Sequence, residues 1–391
     1  MRKICVVLTA RPNYSRIKTA LQAMQAHPDL QLELIVAASA NLKRFGGSVV
    51  SFIEQDGFEV TERIFMQVEG ENLITSVKTV GVGLIDLATA FDRIRPDVVA
   101  VVGDRYEVIA VAIAATYMNI PLIHIQGGEV TGNIDEKVRH SITKLADIHL
   151  TCTQRAREWV IRMGEDAERV FYTGCPSIDL AAEMLKSPEL DFDPIAKYGG
   201  VGHLNHVPHE YLVVMQHPTT TTFGHAREQI EETLKAVEAI GMPAFWFWPN
   251  PDAGSDDVSG GIRAFREKYD LSKMRFFINM EPMDFLRLIY NGKCLIGNSS
   301  VGIRETSFLG IPVVNIGDRQ AYRDRGPNVL DVPEYNQHAI RKAIEHHLAS
   351  PRPQSSDIYG DGHAGKKIAD VIAKVPLTFH KHLSYAKEVA V

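Results

Sequence analysis

The sequence is poor in the features that mark secreted, membrane-spanning or nucleic-acid-binding chains. Only four of its 391 residues are cysteines (Cys5, Cys152, Cys175 and Cys294), far apart and in or beside apolar runs. That spacing argues against a disulfide frame or a metal knuckle and fits reduced thiols in the cytosol. No apolar run reaches the roughly 20 residues that span a bilayer. The opening stretch MRKICVVLTARPNYS has an apolar run of about six residues closed by Arg11, which reads as a first strand instead of a secretory leader. Positive charge is not in excess: 42 Lys and Arg stand against 48 Asp and Glu, a net charge of −6. Neither nucleic acid nor a membrane is therefore an expected partner. Low-complexity tracts and short-period repeats are missing as well. What remains is 45% hydrophobic and 23% charged, the composition of a globular protein. Its length is about twice that of one ordinary hydrophobic core, so two domains are expected.

Two successions of short apolar runs give those domains a form. The first contains KICVVLT (3–9), LELIVAA (32–38), DVVAVVG (97–103), PLIHIQG (121–127) and IHLTCT (148–153). The second contains YLVVMQHP (211–218), AFWFWPN (244–250), MRFFINM (274–280), KCLIGNSS (293–300) and PVVNIG (312–317). Runs that are apolar at consecutive positions suit strands buried on both faces of a parallel sheet. Ile17, Ala20, Leu21 and Met24 recur at helical spacing after the first run, so strand, turn, helix and strand alternate as in a doubly wound α/β sheet. The alternation lapses over residues 181–209, which read as a linker. We expect Rossmann-like halves over 1–180 and 210–365, and a helix at GKKIADVIAK (365–374).

Ligands of such sheets sit at the carboxyl ends of the strands, and the polar clusters of this sequence fall there. RPNYS, GDR (103–105) and QGGE (126–129) end strands of the first half; QHP (216–218), PN (249–250) and GNSS (297–300) end strands of the second. Single clusters are ordinary turn chemistry, but six point to one shared cleft. Ser299 and Ser300, read as the start of a helix ended by Gly310 and Pro312, offer N–H groups and hydroxyls to a phosphate, and Glu305 follows within reach of a ribose diol. Alone, the same residues are a serine N-cap and a dipole-matched glutamate. Arg11 with Ser15, Arg105 and Arg319 add phosphate-competent groups, each singly explicable as a surface ion pair; together they favour a diphosphate. Asp104, Glu129, Asp135 and Glu136 supply carboxylates, with Arg139 and His140 on the following helix. Asp135 and Glu136 also suit the dipole of a helix N-terminus, whereas Asp104 ends a fully apolar strand. The series His203, His206, His209 lies in the irregular stretch with no helix to converge the rings, and the run Phe245–Trp248 reads as a buried strand.

The segments RPNYS, GDRYE, HIQGGEVTGNIDEKVRHSITKLA, GCPSID, QHPTT, WPNPDAGS, IGNSSVGIRE and GIPVVNIGDRQ resemble those of the hydrolysing UDP-N-acetylglucosamine 2-epimerases, in order and over nearly the whole chain. The resemblance implies a GT-B fold, with a C-terminal segment (366–391) crossing back to pack on the first domain. It implies a UDP-sugar substrate with no metal and no nicotinamide, and we expect a cytoplasmic homodimer or homotetramer. Matched residue by residue, Arg11, Ser15, Arg105, His217, Asn250, Ser299, Ser300, Glu305 and Arg319 would hold UDP, and the backbone near Glu281 would read the uracil edge. Asp104 and Asp135 fall on the family's catalytic carboxylates. Gln126 stands where several relatives carry a catalytic glutamate, and an amide cannot take a proton as a carboxylate does. Asp104 or Glu129 then assumes that role, or the substrate differs. The resemblance implies loss of the C2 proton with departure of UDP from C1, then hydration of the 2-acetamidoglucal to N-acetylmannosamine. The rival readings are a non-hydrolysing epimerase, a hydrolysing epimerase of UDP-2,4-diacetamido-trideoxyglucose, and a GT-B glycosyltransferase.

Overall fold

A computed structural model describes residues 1–42, 49–70, 73–131, 134–219, 224–249, 255–269 and 272–388. The chain divides into two compact units, one formed by 1–130, 134–179 and 360–391, the other by 131–133 and 180–359.

The first unit is built on seven strands: β1 (Arg2–Leu8), β2 (Leu30–Ala37), β3 (Glu62–Ile64), β4 (Val98–Val102), β5 (Leu122–Ile125), β6 (Ile148–Thr151) and β7 (Val170–Tyr172). They pair in parallel in the order β3-β2-β1-β4-β5-β6-β7. Its helices are α1 (Arg11–Ala26), α2 (Val49–Gln55), α3 (Leu73–Ile94), α4 (Val108–Tyr117), α5 (Ile134–Leu145), α6 (Gln154–Arg162) and α7 (Pro176–Met184), the last running on into the second unit. Consecutive apolar residues are needed because both faces of the sheet are covered. Ile4, Val6 and Leu8 enter one core with Ile17, Leu21 and Ile368; Cys5 and Val7 enter another with Leu87, Phe91 and Val111. Each such buried aliphatic side chain contributes about 1.5–3 kcal/mol.

The second unit carries α8 (Pro194–Tyr198), β8 (Val201–Gly202), β9 (Leu212–Met215), α9 (Ala226–Ile240), β10 (Ala244–Phe247), α10 (Ser255–Lys268), β11 (Met274–Phe277), α11 (Pro282–Asn291), β12 (Cys294–Gly297), α12 (Glu305–Leu309), β13 (Val313–Ile316), β14 (Val329–Val332) and α13 (Gln337–Ala349). Its sheet runs β14-β13-β12-β9-β10-β11-β8, with β8 alone antiparallel. The stretch 181–209 is therefore no mere linker: it contains α8 and β8, and Ala181, Met184 and Leu204 pack in this unit's core. Phe245 and Trp246 are fully buried strand residues. After it, α14 (Ala364–Lys374) packs on α1 of the first unit, where Gly365 lies so close to Thr19 that a Cβ would meet its backbone at 2.7 Å.

The helix α3 was not singled out in the sequence. By length and composition it is apolar enough to cross a membrane, although Lys78 and Asp86 interrupt its apolar residues. The four cysteines are free and buried, and burial pushes the Cys5 thiol well above its ordinary value.

Candidate active site

In a doubly wound sheet the ligand crevice opens where strand order reverses. In the first unit that point lies between β1 and β4; in the second it lies between β9 and β12. The sequence clusters RPNYS and GDR flank the first point, and QHP and GNSS flank the second.

At the first point β4 ends in Gly103, whose φ of +72° turns the chain at no steric penalty. The next residue, Asp104, accepts hydrogen bonds from Nε of Arg139 at 2.9 Å and from its Nη2. Arg139 comes from α5 and is 1% exposed; its Nη1 also donates to the Glu129 carbonyl at 2.6 Å. Burial alone would weaken the guanidinium's hold on its proton, but the carboxylates of Asp104, Glu129 and Asp135 outweigh it and raise its pKa. Asp135 lies one turn before Arg139 on the same helix face, in the first turn of α5. One buried cation thus gathers three of the four residues expected to act on the substrate.

His124, buried on β5, braces this arrangement. Its Nε2 is 2.9 Å from the Gly103 carbonyl and its Nδ1 is 3.0 Å from Oγ1 of Thr143 on α5. The carbonyl can only accept, so Nε2 carries the proton and Nδ1 accepts from the threonine. Burial lowers the imidazole pKa to about 3, which keeps the ring neutral. It ties together the turn that bears Asp104 and the helix that bears its counter-ion.

Gln126 is 2% exposed and has a φ of +68°, a backbone conformation that side-chain-bearing residues seldom adopt. Its Nε2 donates to Sγ of Cys175 at 3.5 Å, while its buried Oε1 has no hydrogen-bond partner among the described residues. The adjoining Gly128 has a φ of +80°, and a Cβ there would lie 2.4 Å from the Ala156 carbonyl oxygen. Arg105 is paired through Nε with the buried Glu107 at 2.8 Å. Ser15 lies in the first turns of α1 and bonds the Pro12 carbonyl, and Asn13 reaches the Val102 carbonyl at 3.3 Å.

The second point is held by amides. Asn298 is fully buried; its Oδ1 accepts from the His217 backbone N–H at 2.7 Å and its Nδ2 donates to the His217 carbonyl at 2.9 Å. Gln320 and Arg319 both donate to the Asn298 carbonyl, at 2.9 and 3.3 Å. Gly297 is required because a Cβ would lie 2.0 Å from the Met215 carbonyl oxygen. Ser299 and Ser300 do not start a regular helix: a 3-10 turn covers Ser300–Gly302, and α12 begins only at Glu305. The glycine between them and the apolar Ile303, fully buried, favour a tight turn over a continuous helix. Glu305 is half-buried, and its buried Oε2 has no partner among the described residues. Tyr322, 71% exposed in the loop after Arg319, also has a positive φ, +62°. The Glu281 N–H is engaged with the Tyr198 hydroxyl at 3.3 Å.

Asn250 lies outside the described residues, as does the side chain of Arg11. His203, His206 and His209 are exposed. Arg139, Asn298 and His124 were not singled out as site residues in the sequence. The Asp135–Arg139 spacing was the one local sign available for Arg139; Asn298 reads only as a turn former until its side-chain bonds are seen.

Over residues 22–373 the chain matches the family model described as UDP-N-acetylglucosamine 2-epimerase. It is 29% identical over 383 residues to the UDP-N,N'-diacetylbacillosamine 2-epimerase (hydrolyzing) of Legionella pneumophila, covering 96% of this chain and 97% of that one. It is 35% identical over 338 residues to the polysialic acid biosynthesis protein P7 of Escherichia coli, covering 85% and 83%. The fold is similar to that of UDP-GlcNAc 2-epimerase from Neisseria meningitidis bound to UDP-GlcNAc, with a TM-score of 0.78 at 16% identity and coverage of 95% and 100%.

Proposed function

Since this chain belongs to the UDP-N-acetylglucosamine 2-epimerase family, we propose that it is a hydrolysing 2-epimerase that turns UDP-N-acetylglucosamine and water into N-acetylmannosamine and UDP. The observation that carries this reading is the buried Arg139 with Asp104, Glu129 and Asp135 about it, at the strand-order reversal of the first sheet.

Asp104 is the base. Its bonds to Arg139 fix its direction. The proton on C2 is too weakly acidic for such a base to remove in a separate step. Its removal therefore proceeds with cleavage of the C1–O bond: the C–H electrons form the C1–C2 double bond, and UDP leaves with the bonding pair of C1–O. Water then adds its oxygen at C1 while C2 takes a proton on the opposite face, from the protonated Glu129 or Asp135, which inverts that carbon; the proton that water gives up returns to that carboxylate, and Asp104 releases the C2 proton to solvent. Gln126 takes no proton; its amide oxygen accepts from the acetamido N–H.

The leaving diphosphate is held by the second unit. Ser299, Ser300 and the N–H groups of their turn donate to phosphate oxygens, with Arg319 beside them. His217, Asn250, Arg11, Ser15 and Arg105 complete the UDP contacts, and the backbone near Glu281 reads the uracil edge. Glu305, whose Oε2 has no partner among the described residues, accepts from the ribose hydroxyls. Four buried thiols fit a reducing, cytosolic setting.

A second reading rests on the name of the Legionella relative: a hydrolysing epimerase of UDP-2,4-diacetamido-trideoxyglucose, for which Gln126 suits a sugar with another pattern of amide groups. The test is NMR analysis of the products formed from each UDP-sugar. N-acetylmannosamine and UDP from UDP-N-acetylglucosamine are expected. Turnover of the diacetamido sugar alone would establish the second reading, and UDP-N-acetylmannosamine without hydrolysis would refute both.

A further inference from the structure

We propose that Cys175 is a positioning residue whose sulfur sets which end of the Gln126 amide meets the ligand, and so makes the site select sugars that present an N–H at C2. The inference rests on the function proposed above and deepens it. Gln126 follows β5 and Cys175 follows β7, so their side chains meet across the end of β6. Nε2 of Gln126 donates to Sγ of Cys175 at 3.5 Å, and Sγ lies 3.1 Å from Oγ of Ser177. Gln126, Cys175 and Ser177 are 2%, 0% and 4% exposed. The backbone holds the thiol in place. Gly174 turns with a φ of +82°, and Gly360 packs so closely that a Cβ on it would lie 3.0 Å from the Gly174 Cα and 3.4 Å from the Cys175 nitrogen.

Two observations point past simple packing. Buried amide oxygens are almost always paired, yet Oε1 of Gln126 has no partner among the described residues. Gln126 also keeps a side chain at a φ of +68°, where glycine would be free of strain. A strained residue with an orphaned acceptor, at the carboxyl end of a strand, is suited to take a donor from outside the chain. The sulfur decides the polarity. Its lone pairs take the amide N–H, and the thiol hydrogen is left for Ser177. Turned the other way, the amide would set its N–H groups in the ligand's place, where they suit a carbonyl or hydroxyl oxygen. An oxygen there accepts and cannot donate. It suits the N–H of an acylamino group and penalises a C2 substituent with no hydrogen to give.

The test is calorimetric binding of UDP, UDP-N-acetylglucosamine and UDP-2-deoxy-2-fluoroglucose, whose fluorine has no hydrogen to donate. It is run in an Asp104→Asn parent so that the substrate survives the titration. Cys175→Ala should weaken UDP-N-acetylglucosamine by about tenfold and leave UDP and the fluoro sugar within about twofold. Cys175→Ser, which keeps an acceptor and a donor, should recover most of that loss. Gln126→Leu should cost about the same tenfold, and adding Cys175→Ala to it should cost nothing more, because the thiol acts through the amide. A thiol that only supports the fold would lower all three affinities together, or lower the thermal unfolding midpoint with their ratio unchanged. Either result overturns the proposal, as does a further loss on adding Cys175→Ala to Gln126→Leu. No binding of UDP-N-acetylglucosamine by the parent would overturn the function proposed above and this inference with it. Binding whose ratio Cys175→Ala leaves unmoved overturns this inference alone.

Discussion

The two units place the same strand-order reversal at the centre of their sheets and furnish it with opposite chemistry. In the first, the turn after β4 is held by charge: Asp104 against the buried Arg139, with a neutral His124 fixing both supports. In the second, the turn after β12 is held mainly by amides: the Asn298 side chain ties it to the His217 backbone after β9, and Gln320, with Arg319 beside it, donates to the Asn298 carbonyl. On the function proposed above, the difference follows from what each would face. A turn that presents N–H and hydroxyl donors to phosphates gains nothing from a fixed carboxylate nearby. A turn that must present a carboxylate in one direction is served by a fixed cation. The framework is shared and the electrostatics are local.

The sharpest break in that comparison is Asp104→Asn. It retains the shape and removes the charge, so turnover should fall by roughly two to four orders of magnitude while UDP affinity stays within a few-fold. It also leaves Arg139 buried with one carboxylate fewer, so the unfolding free energy should drop by about 3 kcal/mol or more. Turnover, UDP binding and thermal unfolding measured together separate these effects, and near-normal turnover would move the base to Glu129 or Asp135.

The mirror experiment is Asn298→Ala. It removes two bonds that fix His217 and should weaken UDP binding about a hundredfold by calorimetry, with kcat affected less than KM. A loss confined to kcat would contradict the division of labour. Replacing Ser299 and Ser300 together with alanine leaves the amide support intact and should weaken UDP binding by about tenfold, or 1.4 kcal/mol. Unchanged affinity would remove the hydroxyls from the phosphate site.

The smallest effect is in pH. His124 has its pKa lowered by burial from 6.5 to about 3, and buried His149 of the same unit is lowered too. Between those values the unfolded imidazole holds a proton that the folded one lacks. Stability is therefore complete above pH 6.5 and falls as the pH drops towards 3, by up to about 1.4 kcal/mol per pH unit for each such group. In the second unit the half-buried His347 is lowered as well. Hydrogen exchange at pH 7 and pH 5 should show the first sheet losing protection faster, and His124→Gln should reduce the contrast.

All ten strands read from the sequence are present, because strands covered on both faces must be apolar at successive positions. The strands it did not reveal, β3, β7, β8 and β14, are short and lie at or near sheet edges; β3 is the sequence ERI, which carries no such imprint. Asp104 was legible as a charge ending a wholly apolar strand. Arg139 was visible only as a basic residue on a helix, since its burial depends on β4 and α5 meeting, and no local period encodes that. Ser299 and Ser300 were legible as turn residues, but the break before Glu305 was not, because the burial of Ile303 decides it. The linker misread over 181–209 has the same origin: α8 is five residues long and β8 two, too brief to show a period.

The discontinuity of the first unit has a consequence for how the protein is made. Residues 360–391 belong to a body whose remaining parts end at 179, so the ribosome must deliver the whole of the second unit before the first can close. Until then Ile17 and Leu21 of α1 lack the cover of Ile368 and Ile372. The Arg2 guanidinium lacks the Val375 carbonyl, and Glu165 lacks the ammonium of Lys381, 2.6 Å away in the finished fold. The second unit is contiguous but for residues 131–133 and can fold as it emerges. The carboxylate proposed as the base is thus encoded early in the chain, while the sheet that carries it is among the last parts to be sealed.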